Sequence, residues 1–296
     1  MSYPELQKLV DTLRARPKLT EVSERRDAIN AFAKAFPPAA DVTIEKMTLG
    51  GVPAEKSRTP GDDAAGAILY VHGGGYVIGS LDSHRHLVTE AGRAAGVPVY
   101  ALDYRLAPEH PFPAPVEDTV AAYKQLLAQG IAASKITIGG DSAGGGLVIG
   151  AMLAIKDAGL PTCAAGWCIS PWVDMEARGA SFTDRASTDP TVQKPTILFM
   201  AGHYMGKADP RHPYASPIHG ELRGLPPLLI QVGACETLLD DSLQLARLAG
   251  MADVPVDLQV WPEMIHIWHI FHPVLGAARR AIADGGVWVQ KILKGA

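Results

Sequence analysis

The stretch Gly139-Gly140-Asp141-Ser142-Ala143-Gly144-Gly145-Gly146 holds a serine framed as Gly-x-Ser-x-Gly. Residues 135–138 before it read as a short apolar strand, and residues 147–157 after it have helical spacing. A serine on a strand-to-helix turn can be presented as a nucleophile. In a turn that tight, side chains at Gly140 and Gly144 would collide with the neighbouring strand and helix. Ser142 is therefore expected in a strained backbone conformation with its hydroxyl exposed. Ala143 opens the helix, so its N–H is expected to face charge developing on a substrate oxygen. A phosphate-cradling loop would need a Lys-Ser/Thr pair after the second glycine, and no lysine follows here. A second glycine cluster, His72-Gly73-Gly74-Gly75-Tyr76, follows another apolar run. The N–H groups of Gly74 and Gly75, unobstructed by side chains, are expected to join that of Ala143 around an oxyanion. His72 is expected to order this loop rather than to act as a base.

Elements must carry these groups, and the pattern of the chain supplies them. Short Val- and Ile-rich runs at residues 67–71, 97–102, 136–138, 166–169, 228–232 and 256–260 predict buried strands. Helical patterns at residues 84–95, 116–129, 144–157, 240–250 and 274–293 separate most of them or follow the last. This alternation predicts a parallel sheet covered on both faces. Alternating runs at 42–49 and 52–58 predict antiparallel edge strands. Helices are expected over residues 4–16 and 22–36, the second stopped by Pro37-Pro38. Between residues 171 and 228 no strong strand pattern occurs, and a helical run spans 195–205. Such an insertion in a compact domain is read as a lid over the carboxyl ends of the strands.

Composition narrows the classes. A charged fraction of 20 % beside 47 % hydrophobic residues excludes a disordered chain. The net charge of −4 with no basic stripe argues against nucleic acid and against an anionic membrane surface. No stretch is long and apolar enough to span a bilayer. The N-terminus has no continuous apolar core of a secretory signal, and the three cysteines Cys163, Cys168 and Cys235 are an odd number. A cytoplasmic, reducing location is expected.

Four stretches carry a family resemblance: His72–Gly75, Asp103-Tyr104-Arg105-Leu106-Ala107-Pro108-Glu109-His110-Pro111-Phe112-Pro113-Ala114, Gly140–Gly145 and Met264-Ile265-His266. Together they make the chain resemble a bacterial hormone-sensitive-lipase-like esterase of the α/β-hydrolase fold. The resemblance implies an α/β fold with a mostly parallel central sheet, flanking helices and a helical cap. The cap would comprise residues 1–45 and the insertion 179–218, and the catalytic core residues 46–178 and 219–296. It implies that residues 103–114 are structural and steady the oxyanion loop.

The acid and the base follow the serine in this fold, with histidine last. His203, His212, His219, His266, His269 and His272 come after Ser142. His266 lies just past a predicted strand, where the family pattern puts its histidine, and is the expected base; His269 is the alternative. A metal site from His266, His269 and His272 is disfavoured, because their spacing drifts around a helix and no carboxylate or cysteine cluster accompanies them. For the acid, Glu236 stands where the family usually has Asp, which leaves Asp240 and Asp241 as substitutes. Glu236 is preferred, because it lies at the carboxyl end of its strand.

The expected function is hydrolysis of short-chain acyl esters by a Ser142–His266–Glu236 triad through an acyl-enzyme, with no metal or organic cofactor. An amidase or formamidase would use the same triad, and a ligand-binding receptor could share the fold. The alternating segment Val256-Asp257-Leu258-Gln259-Val260 is expected at the sheet edge, where relatives of this family often dimerise, so a two-fold homodimer is expected there.

Overall fold

The computed structural model describes residues 3–17, 19–63 and 66–295. The chain opens with helices α1 (Pro4–Arg14) and α2 (Val22–Ala33). The second ends before the Pro37-Pro38 pair, earlier than its sequence pattern suggests. The N–H groups of Ala35 and Phe36 bond to the carbonyls of Phe32 and Ala33, which tightens the final turn. Strands β1 (Thr43–Leu49) and β2 (Val52–Arg58) form a hairpin on Gly50-Gly51, whose φ values of 63° and 87° suit a two-residue turn.

Strand and helix then alternate: β3 (Ala67–Val71), α3 (Leu81–Ala95), β4 (Val99–Leu102), α4 (Ala114–Ala128), β5 (Ile136–Asp141), α5 (Ala143–Asp157) and β6 (Ala165–Ile169). Two helices interrupt the rhythm, α6 (Ser181–Asp184) and α7 (Lys194–Met205). It resumes with β7 (Leu228–Gly233), α8 (Leu239–Met251), β8 (Val256–Trp261) and α9 (Gly276–Lys294). The fifth strand runs through Gly139 and Gly140 to Asp141, beyond the expected end at residue 138. Its ladder to Val71 and Ile169 needs no side chains, so the glycines do not stop it.

The eight strands lie in the order β1-β2-β4-β3-β5-β6-β7-β8. From β4 to β8 every pairing is parallel, and β1 and β2 add an antiparallel edge. Side chains alternate between two cores, as the pleat requires. Ile68, Tyr70, Trp167 and Leu229 meet α3 and α9 on one face. Leu69, Val71, Ile138 and Ile230 meet α4, α5 and α8 on the other, where α7 also packs. The last strand is a sheet edge with Leu258 and Val260 exposed.

Parallel strands bring their carboxyl ends to one side of the sheet. The loop after β3 carries His72–Gly75, the turn after β5 carries Ser142, the loop after β7 carries Glu236 and that after β8 carries His266. Leu6, Val10 and Leu13 of α1 pack on Met264, Ile265, Trp268 and Phe271, and so brace the His266 loop. Among the described residues, no helix is long and apolar enough to cross a membrane.

Candidate active site

Ser142 has φ 55° and ψ −121°, a left-handed backbone that a non-glycine residue adopts only when its surroundings hold it there. Its N–H donates to Ile169 O at 2.8 Å, and its carbonyl accepts from Trp172 N–H at 3.0 Å. The approach of α5 to the sheet explains the glycines: a Cβ on Gly144 would stand 2.1 Å from Val71 O, and one on Gly140 would stand 2.6 Å from Gly144 C.

The serine, histidine and acid meet. Ser142 Oγ lies 3.0 Å from His266 Nε2, and His266 Nδ1 lies 3.0 Å from Glu236 Oε2. A carboxylate can only accept, so Nδ1 carries the proton and Nε2 is left to accept from the serine hydroxyl. Burial disfavours charge on His266, but the Glu236 carboxylate and the nearby Asp189 outweigh it, and the pKa is raised. Burial also pushes the Glu236 carboxyl up, restrained by its bond to His266.

One expectation needs correcting. The elbow was expected to expose Ser142, yet the residue is only 8 % accessible, beside His266 at 4 % and Glu236 at 0 %. The glycine loop lies against it, since a Cβ on Gly73 would stand 3.1 Å from Ser142 Cβ. Met200 of α7 packs directly on Gly75, where a Cβ would meet the Met200 side chain at 2.8 Å. Coverage comes from remote segments that the local turn does not reveal.

The glycine loop is stiffened from several sides. Gly74 and Gly75 have φ values of 116° and 63°. A Cβ on Gly74 would clash with Ile78 O at 2.2 Å, so the turn requires glycine there. Ala143, the first residue of α5, has an N–H that the helix itself does not use. His72 Nδ1 bonds Gly73 O at 2.7 Å, and its ring stacks on Tyr104 at 4.3 Å. Burial pushes its pKa down to about 4, so it is a neutral strut. Tyr104 Oη donates to His72 O at 2.7 Å and Ala107 N–H donates to Tyr76 O at 2.9 Å, so residues 103–114 do buttress the loop. Arg26 of α2 adds bonds to Val77 O and Ala107 O, each 2.9 Å.

Beneath the elbow, Asp141 is buried. It accepts from Tyr70 Oη at 2.9 Å and faces His84 Nε2 at 3.2 Å. Burial opposes its charge, but His84 and Tyr70 outweigh that, and the pKa is lowered.

The other candidates are engaged elsewhere. Asp240 Oδ2 accepts from Ser181 N–H at 2.9 Å, and Asp241 Oδ2 from Val173 and Asp174 N–H at 2.9 and 3.1 Å. Both tether the segment after β6 to α8. His269 Nε2 lies 3.1 Å from Gln231 Oε1, and burial drives its pKa down to about 3. His272 stacks on His86 at 5.5 Å, so His266, His269 and His272 do not converge on a metal position. Among the described residues, Asp174, Glu176 and His219 do come together, but Arg178 Nη2 already lies 2.9 Å from His219 Nε2. His203 and His212 bond locally, to Phe199 O and Tyr214 N–H. Sequence reasoning missed Ser170, at the end of β6. Its one sequence signal is a polar residue closing an apolar strand.

A covered serine bonded to an acid-oriented imidazole, beside a braced glycine loop, defines a serine hydrolase. The α/β-hydrolase-fold family model matches residues 68–270. An acetyl-hydrolase of Streptomyces hygroscopicus is 45 % identical over 292 residues, 98 % of this chain and 97 % of that one. The crystal structure of an esterase from the bacterial hormone-sensitive lipase family is 47 % identical, with a TM-score of 0.96 over 99 % of each chain. The esterase EstE5, in a crystal soaked with p-nitrophenyl butyrate, is 46 % identical, with a TM-score of 0.96 over 99 % of this chain and 100 % of its own. The chain belongs to the α/β-hydrolase family and is a serine carboxylesterase of the bacterial hormone-sensitive-lipase group.

Proposed function

We propose that this carboxylesterase acts on short-chain acyl esters through Ser142, His266 and Glu236. Ser142 Oγ attacks the ester carbonyl while His266 Nε2 takes its proton. The carbonyl oxygen becomes an oxyanion held by Gly74, Gly75 and Ala143 N–H groups. Collapse expels the alcohol, which receives the proton from His266, and leaves an acyl-serine. Water then attacks the acyl-serine, with His266 again taking and returning one proton, and the acid departs. Glu236 fixes the tautomer and stabilises the imidazolium. The observation that carries this reading is the pair of 3.0 Å bonds running Ser142–His266–Glu236.

Close packing of Met200 on Gly75 supports a small pocket, and the butyrate ester soaked into EstE5 is of the same size class. We assign residues 1–45 and 179–218 to a cap over the site. We also assign β8 as a two-fold dimer edge, since Leu258 and Val260 stand exposed on it. A panel of p-nitrophenyl esters of graded acyl length, read beside phenylmethylsulfonyl labelling of the Ser142 peptide by mass, tests the reading. Labelling at Ser142 with fastest turnover of acetyl or butanoyl esters is expected. Absence of labelling, or faster turnover of an emulsified long-chain triglyceride, would refute it.

A further inference from the structure

Ser170 closes β6 and is completely buried. Its φ is 46°, a strained value for a residue with a side chain. Glycine would sit there without that strain, so the hydroxyl is what serine contributes. The Ser170 N–H is spent on Gln231 O at 2.7 Å, which pins the residue to β7. Its Oγ accepts from the N–H of Ile267 at 3.2 Å, the residue directly after His266. That use of a lone pair leaves the hydroxyl proton free to be donated. The neighbour able to receive it is the Glu236 carboxylate, which the Ser170 side chain faces. Glu236 Oε2 is committed to His266, while Oε1 is buried and closes no hydrogen bond among the described residues in the resting geometry. A buried carboxylate oxygen without a donor is costly.

We propose that Ser170 is a positioning residue for ester hydrolysis: its hydroxyl accepts from Ile267 N–H and donates to Glu236, so one side chain sets both the base loop and the acid. The proposal rests on the Ser142–His266–Glu236 reading above. Ser170 does not touch the reacting atoms; it acts through the two groups that orient the proton transfer. The donor also opposes the burial that raises the proton affinity of Glu236. The other charged groups facing the pair are Asp189, toward both, and Asp141, toward His266. Asp189 is engaged by the N–H groups of Thr191, Val192 and Thr237, and Asp141 by Tyr70 and His84.

Ser170→Gly tests this, because it deletes the hydroxyl and relieves the backbone. The expected result is a melting temperature within a few degrees of wild type, the relieved backbone offsetting the lost Ile267 N–H bond, with kcat on p-nitrophenyl butyrate down by about tenfold or more. KM stays within about twofold. Without the donor Glu236 holds a proton more readily, so the acid limb of kcat/KM moves to higher pH. Ser170→Ala, which keeps the backbone strain, should move the limb the same way. In a Glu236→Gln background, Ser170→Gly should cost little more, since the acceptor charge is already gone. Wild-type kcat in Ser170→Gly, or a lower kcat with an unmoved acid limb, would overturn the proposal. Full activity in Glu236→Gln alone would instead sink the triad reading, whatever Ser170→Gly does.

Discussion

Replacing Glu236 by Gln removes a charge while keeping the shape. The carboxylate contacts His266 Nδ1 at 3.0 Å, and both groups are excluded from solvent. In the proposed mechanism His266 becomes an imidazolium in the transition state, with its charge centre about 4 Å from that of the carboxylate. At an effective dielectric of about 20 the attraction is worth about 4 kcal/mol. At roughly 1.4 kcal/mol per decade, losing it should slow the reaction by about 10³-fold. The amide can still accept from Nδ1–H through its oxygen, so a collapse of the fold is not expected. Initial rates on p-nitrophenyl butyrate, measured beside a thermal melt, separate the two effects. Asp240→Asn and Asp241→Asn serve as comparisons, because both side chains hold backbone N–H groups and neither contacts His266. If Glu236→Gln keeps more than a tenth of the wild-type kcat while Asp240→Asn or Asp241→Asn is inactive, the electrostatic argument and the acid assignment both fail.

The rate should fall on acidification, because His266 must be neutral to act as base. Its pKa is raised, so the midpoint of the acid limb in kcat/KM should lie above 6.5; a flat profile between pH 5 and 8 would contradict this. The same shift has a stability sign: the charged His266–Glu236 pair contributes fully below pH 6.5, and that contribution is lost as pH rises through the raised pKa. Gly144→Ala should not accumulate as folded protein, since the methyl would stand 2.1 Å from the carbonyl of Val71; a soluble variant with wild-type melting would disprove the close-packing argument. Asp241→Ala should lower the melting temperature by several degrees through two orphaned buried N–H groups, with kcat nearly unchanged. The wild type is expected to be a dimer by light scattering and the paired Leu258→Lys and Val260→Lys variant a monomer; a monomeric wild type would remove the proposed β8 interface.

Much of the site was written locally in the sequence. The glycines around Ser142 and in residues 73–75 are there because side chains would strike neighbouring backbone, and that requirement leaves a readable pattern. Short apolar runs separated by helical patterns likewise announced the parallel sheet, whose geometry gathers the ends of β3, β5, β7 and β8 on one side. Position at the end of its strand favoured Glu236 as the acid, but Asp240 and Asp241 share the same short stretch, and only the path of the loop decides which side chain turns toward His266. The near-burial of Ser142 was also invisible, since it depends on the glycine loop and the His266 loop arriving from distant parts of the chain. Ser170 escaped notice for the same reason. A lone serine after an apolar strand carries no pattern, and its meaning arises only when packing brings Ile267 and Glu236 to either side of one hydroxyl. Sequence determined what each segment could locally be; the tertiary structure decided which buried polar groups face one another, because those contacts join residues far apart along the chain.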